Sequence, residues 1–184
     1  MSLERITRSS ALRTALLLLL GTFTGALLFF AGTAGTVLRE SPSRHAGGAV
    51  NRALLDVLDL SSYAVAALAF LLVLLLDRIE PLAKVQKGLA LRLLAVVAAA
   101  AFASHEVITP QMIALGDRMP SLIDLVPRAD PMRKEWGRLH AFSAAVLVVR
   151  LLASTTLFVL LVRKPRRTIA VTPVAVAPPD PPAA

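Results

Sequence analysis

Apolar residues in this chain do not alternate with polar ones; they run in four long blocks set apart by short charged stretches. The first block, 14–37 (TALLLLLGTFTGALLFFAGTAGTV), carries no charge between Arg13 and Arg39. The second spans 54–76 and is stopped by DRIEP. The third, 88–108, is broken by Arg92 near its start and by His105 and Glu106 near its end. The fourth, 139–162, closes on RKPRR. At about 1.5 Å per residue, each block is long enough to cross a hydrocarbon core of about 30 Å. Lipid offers no partner for a free backbone group, so spans of this length are expected to be helices. A basic start followed by an apolar run is also the plan of a signal peptide. The first run is long for that role and ends in no sharp cleavage pattern, so it is read as a retained span.

Composition agrees. A hydrophobic fraction of 56% exceeds what a soluble domain can cover with polar surface. The expected fold is an all-α membrane protein: a basic N-terminal arm (1–13), a four-transmembrane-helix bundle (14–163) and a disordered proline-rich tail (164–184). The net charge of +8 would suggest nucleic acid in a soluble chain. Here the bases flank apolar runs with little aromatic interleaving, so anionic lipid headgroups are the expected counterpart and nucleic acid is not. The chain has no cysteine, which removes thiolate and disulfide chemistry. Ten Lys and Arg fall in the N-terminal arm, the 77–87 hairpin and the start of the tail, against eight in the other two loops. That bias puts both termini in the cytoplasm, in a plasma membrane or bacterial inner membrane. In the loop 109–138, ADPMRKEW marks a helix start, with Asp130 as N-cap and Pro131 at the first helical position.

Small residues let membrane helices approach closely. Gly21, Gly25, Gly32 and Gly35 share one stripe of the first span, and GTFTG is a GxxxG. The stripe is read as a packing face inside the bundle, against the alanine-rich third span, with a homo-oligomer or membrane-partner contact as the alternative.

The chemistry sits in the polar residues that lipid should reject. His140, Ser143, Leu147, Arg150 and Ser154 recur at spacings of 3 and 4 on the last span. A central arginine costs about 2.5–3.5 kcal/mol on insertion scales, so Arg150 calls for a partner. Topology gathers Asp56, Asp59, His105, Glu106 and His140 on the same side of the bilayer. Glu106 or Asp59 is therefore expected to reach Arg150, forming a polar pocket open to the non-cytoplasmic side. The plain alternatives are a solvated helix end for Asp56 and Asp59, interfacial capping for His105 and Glu106, packing alone for His140, and snorkelling for Arg92 and Arg150. His105 and His140 with nearby carboxylates are also candidate ligands for a metal such as copper. No HExxH, CxxC, EF-hand or nucleotide-loop spacing occurs, and no catalytic residue is assigned.

WGRLHAFSAAVLVVRLLAS (136–154) resembles the F-x-x-L-H-x-x-S signature in the last span of a family of small four-helix membrane proteins. That family includes eukaryotic transmembrane protein 205, and its bacterial members carry a domain of unknown function. RHAGGAVNRALLDVLDLSSY resembles a loop-plus-helix carrying Ala-Gly, and VITPQMIALGDRM resembles a P-x-I/M-x-x-L exit from span three. The resemblance covers about residues 15–160. Trp136 stands where the family has Phe, and its Pro-x-Leu-Phe after span one is missing from TVLRESPSR. The resemblance implies four spans, maps the family's His, Ser and Pro onto His140, Ser143 and Pro110, and implies no established enzyme activity. Distantly similar bundles handle copper or haem through membrane histidines. Three readings follow: a non-enzymatic protein passing or sensing a small polar or cationic solute, a haem- or copper-handling protein, or an assembly subunit.

Overall fold

The computed structural model describes residues 3–119, 123 and 125–163. The tail expected to be disordered, 164–184, lies outside the described residues. The chain forms α1 (Leu3–Glu40), α2 (Arg44–Ile79), α3 (Lys84–Phe102), a π-helical segment (Ala103–Ile108), α4 (Thr109–Arg118) and α5 (Pro131–Val162). Four continuous helical rods are long and apolar enough to cross a membrane, the third being Lys84–Arg118. This is a multi-pass membrane protein built as a four-helix bundle.

The helices overrun the apolar blocks. Residues 3–13 of the basic arm form the first turns of α1, where Arg8 pairs with Glu4 at 2.6 Å one helical turn away. Residues 109–118, read from the sequence as loop, continue the third rod. Pro110 lacks an N–H, and in a regular helix its ring would crowd the carbonyl of Glu106. The rod absorbs this by widening: the N–H of Thr109 donates to the carbonyl of Ser104, five residues back, in the π pattern. Asp130 caps α5 as expected, its side chain accepting from the N–H groups of Met132 and Arg133 at 2.7 and 3.3 Å.

Around the bundle, α1 packs on α2 and α5, and α3 packs on α2 and α5. Among the described residues no Cα pair of α1 and α3, or of α2 and α5, comes within 8 Å. The helices therefore stand at the corners of a square, with α2 diagonal to α5. Each presents one inward stripe at alternating steps of 3 and 4: Leu16, Leu20, Phe23, Leu27 and Phe30 on α1, for example.

The glycine stripe is a correction. Gly25, Gly32 and Gly35 are exposed, and a Cβ built on any of them meets nothing within 4 Å. Of the four, only Gly21 has a neighbour that an added Cβ would meet, the ring of Phe158 on α5 at 3.4 Å. Gly25, Gly32 and Gly35 face out of the bundle, and among the described residues α1 does not meet α3.

The close approach occurs elsewhere. Gly47 sits where α2 leaves its turn: an added Cβ would lie 3.0 Å from the Cα of Leu38 and 3.1 Å from the carbonyl oxygen of Val37. Ser41 and Ser43 fix that turn, Ser41 donating to the Val37 carbonyl at 2.6 Å and Ser43 accepting from the N–H of Ala46 at 3.1 Å.

At the opposite end, which holds the start of α1 and the end of α5, the last carbonyls of α5 lack partners of their own. Arg13 of α1 donates to Leu161 (3.4 Å) and Gln86 of α3 to Leu160 (3.1 Å). Asp77 closes the α2–α3 hairpin by accepting from Lys87 at 2.6 Å and from the N–H of Leu82 at 3.0 Å.

Candidate functional site

On α2 the inward stripe reads Asp59, Ser62, Ala66, Ala69, Val73, Leu76, so two polar residues head an otherwise apolar face. On α5 the corresponding stripe is Arg150, Ala153, Ser154, Leu157, Leu161. Side chains on a helix lean toward its N-terminus. Both α2 and α5 begin at the end of the bundle far from the chain termini, so Arg150 leans outward toward Asp59.

The two meet. Arg150 Nη1 donates to Asp59 Oδ1 at 2.5 Å and to Ser62 Oγ at 2.9 Å, and the Ser62 hydroxyl donates on to the Leu58 carbonyl at 2.6 Å. Arg150, Asp59 and Ser62 are each 0% exposed, so a full charge pair is enclosed between apolar neighbours such as Leu58 and Ala153. The bond runs along the diagonal of the square, joining the two helices whose backbones stay apart.

The bonding is incomplete. Asp59 Oδ2, Arg150 Nε and Arg150 Nη2 are buried with no hydrogen-bond partner among the described residues, and the same holds for the Tyr63 hydroxyl. Toward the far end lies a second cluster. His105 Nδ1 stands 3.9 Å from Asp56 Oδ1, and its Nε2 stands 3.8 Å from Glu106 Oε1. Exposure rises outward, from 0% for the Asp59 side chain to 30% for His105, 41% for Asp56 and 54% for Glu106.

Of the expected residues, the structure thus joins Arg150 with Asp59, and separately His105 with Asp56 and Glu106. Glu106 is not the partner of Arg150. His140 does not face the site: it is exposed and stacks on Trp136, ring centroids 5.3 Å apart and planes 7° from parallel. The ten-residue step from His140 to Arg150 leaves the two about 80° apart around a helix of 3.6 residues per turn, so the shared face drifts out of register. Ser143 is half-buried. Among the described residues no group of three His, Asp or Glu side chains is placed to hold a metal ion. Sequence reasoning misses Ser62 and Tyr63, although Ser62 lies at the i+3 position from Asp59 that marks it as a neighbour on the same face.

A comparison with protein families matches residues 18–121 to a domain of unknown function, DUF4149. That is more than half of the chain. The protein belongs to the DUF4149 family. The matched segment runs from α1 through α4, so the DUF4149 region supplies Asp59, Ser62, Tyr63 and the His105 cluster, while α5 with Arg150 and the LHAFS signature lies beyond it. No curated protein matches the chain. No solved structure matches it either.

Proposed function

We propose that this DUF4149 protein receives a small polar solute at the Asp59–Arg150 site, from the non-cytoplasmic side, and so passes or senses it. The observation that carries the reading is a pair closed to solvent that keeps three hydrogen-bonding atoms unused. A buried polar group left unmatched costs about 1–3 kcal/mol. A structural strut needs only the Nη1 contacts, and Oδ2, Nε and Nη2 are left over for a further partner. A polar guest would satisfy them. The His105 cluster, graded in exposure, marks the approach. The described conformation is closed over the pair, so entry entails an opening at the far end, where Asp56 and His105 approach without a hydrogen bond. The loop charges support both termini lying in the cytoplasm, which would point that end outward. The last-span signature supports kinship with the family of transmembrane protein 205.

Two other readings have less in their favour. A haem or copper role would draw on His105 and His140, whose surroundings differ: one half-buried among carboxylates, the other exposed on Trp136. An assembly role has the open face of Gly25, Gly32 and Gly35 for a partner helix.

Proteoliposomes carrying wild-type protein should admit small uncharged polyols such as glycerol faster than empty vesicles. The apolar pair Asp59→Leu/Arg150→Met, which keeps the bulk of both side chains, should remove that excess. Equal rates for the two proteins would refute passage through the site.

A further inference from the structure

We infer that the site takes a small carboxylic acid, bound as a carboxylate together with one proton; this rests on the proposed solute site and names its ligand class. The guanidinium of Arg150 is a flat fork of five N–H donors. Its Nη1 is spent on Asp59 and Ser62. The two nitrogens without partners, Nε and Nη2, lie on one edge of the plane, where their N–H bonds run side by side. That edge is the one that receives a planar two-oxygen group through two parallel hydrogen bonds. A point donor such as an ammonium would not present it.

Charge selects the protonation state. Asp59 already neutralises Arg150, so a bare anion would leave an uncompensated negative charge in a low-dielectric site. Asp59 Oδ2 lacks a donor. A carboxylate arriving with one proton meets both conditions: its oxygens accept from the free edge of Arg150, and the proton is taken up at Asp59 Oδ2, on the Nη1 side of the guanidinium. The carboxylate brings one negative charge and the proton one positive, so the site's net charge does not change. Asp56 of α2 and His105 and Glu106 of the π-helical segment line the approach, Tyr63 follows Asp59 one turn further along α2, and α1 carries no ionisable side chain between Arg13 and Arg39.

The test uses full-length protein in nanodiscs with 13C-labelled acetate, its binding read from labelled carboxyl bands in difference infrared spectra. Wild-type protein should bind acetate with an apparent affinity that falls about tenfold for each pH unit above the acid's own pKa, the signature of one proton taken up per acetate. Arg150→Lys keeps the charge beside Asp59 but loses the edge, and should weaken binding tenfold or more. The double variant Asp59→Leu/Arg150→Met should bind none, which keeps the test decisive if the lysine variant does not fold. Acetate binding that is independent of pH, or unchanged in a folded Arg150→Lys protein, overturns the inference, as does equal affinity for acetamide. Absence of acetate binding alongside glycerol uptake that depends on the pair removes the ligand class alone; absence of both removes the solute site as well.

Discussion

Replacing Asp59 by leucine strips Arg150 of its counter-charge while keeping similar bulk at a fully buried position. The guanidinium then holds only the Ser62 hydroxyl, a neutral acceptor 2.9 Å from Nη1. Removing one partner of a buried ion pair costs about 3–5 kcal/mol, because the remaining charge has neither water nor a counter-ion. At about 1.4 kcal/mol per factor of ten, this lowers the folded-to-unfolded ratio by roughly two to three and a half powers of ten. Adding Arg150→Met removes the stranded charge, and the double variant should return to within about 1 kcal/mol of wild type or exceed it by about 1–4 kcal/mol. Equilibrium unfolding in bicelles of wild type, both single variants and the double variant gives the coupling energy directly. An Asp59→Leu protein within about 0.5 kcal/mol of wild type, the scatter of ordinary surface changes, would show that Arg150 does not depend on that carboxylate.

Two further outcomes test the frame that holds the pair. Gly47→Ala drives a methyl group against the backbone of α1, which cannot yield as a side-chain tip would, and should destabilise the protein by about 1–3 kcal/mol in the same assay. Pro110→Ala restores an N–H opposite the Glu106 carbonyl and should let the π-helical segment relax to α-helix; the new amide at position 110 would then show hydrogen-exchange protection like that of its helical neighbours, and unprotected exchange would count against a proline-driven bulge.

Much of the architecture was legible because hydrophobic length is a strong signal in lipid. Charge-free runs such as 14–37 and the Asp130–Pro131 start of α5 mark four helices without any need for tertiary information. Which face of a helix turns inward was not legible on α1. In water, periodicity separates a wet face from a dry one; in a bilayer both faces meet hydrocarbon, so Gly25 and Leu27 look equally at home on either. The polar residues escape this ambiguity, since an arginine has one tolerable direction, and Arg150 therefore revealed the inside of α5. Its partner required three-dimensional information: Asp59 and Glu106 lie on the same side of the bilayer, and only the square arrangement puts α2 diagonally opposite α5. The run of helix past Pro110 was hidden for another reason. Proline reads as a breaker, and the wider turn that accommodates it leaves no mark in residue spacing.

The diagonal strut also constrains how the chain is made. The family-matched segment carries the acid, and α5, which follows it in the chain, carries the base. While α5 is still being synthesised, Asp59 has no Arg150 to meet it. A chain truncated before residue 131 should therefore be cleared by membrane quality control.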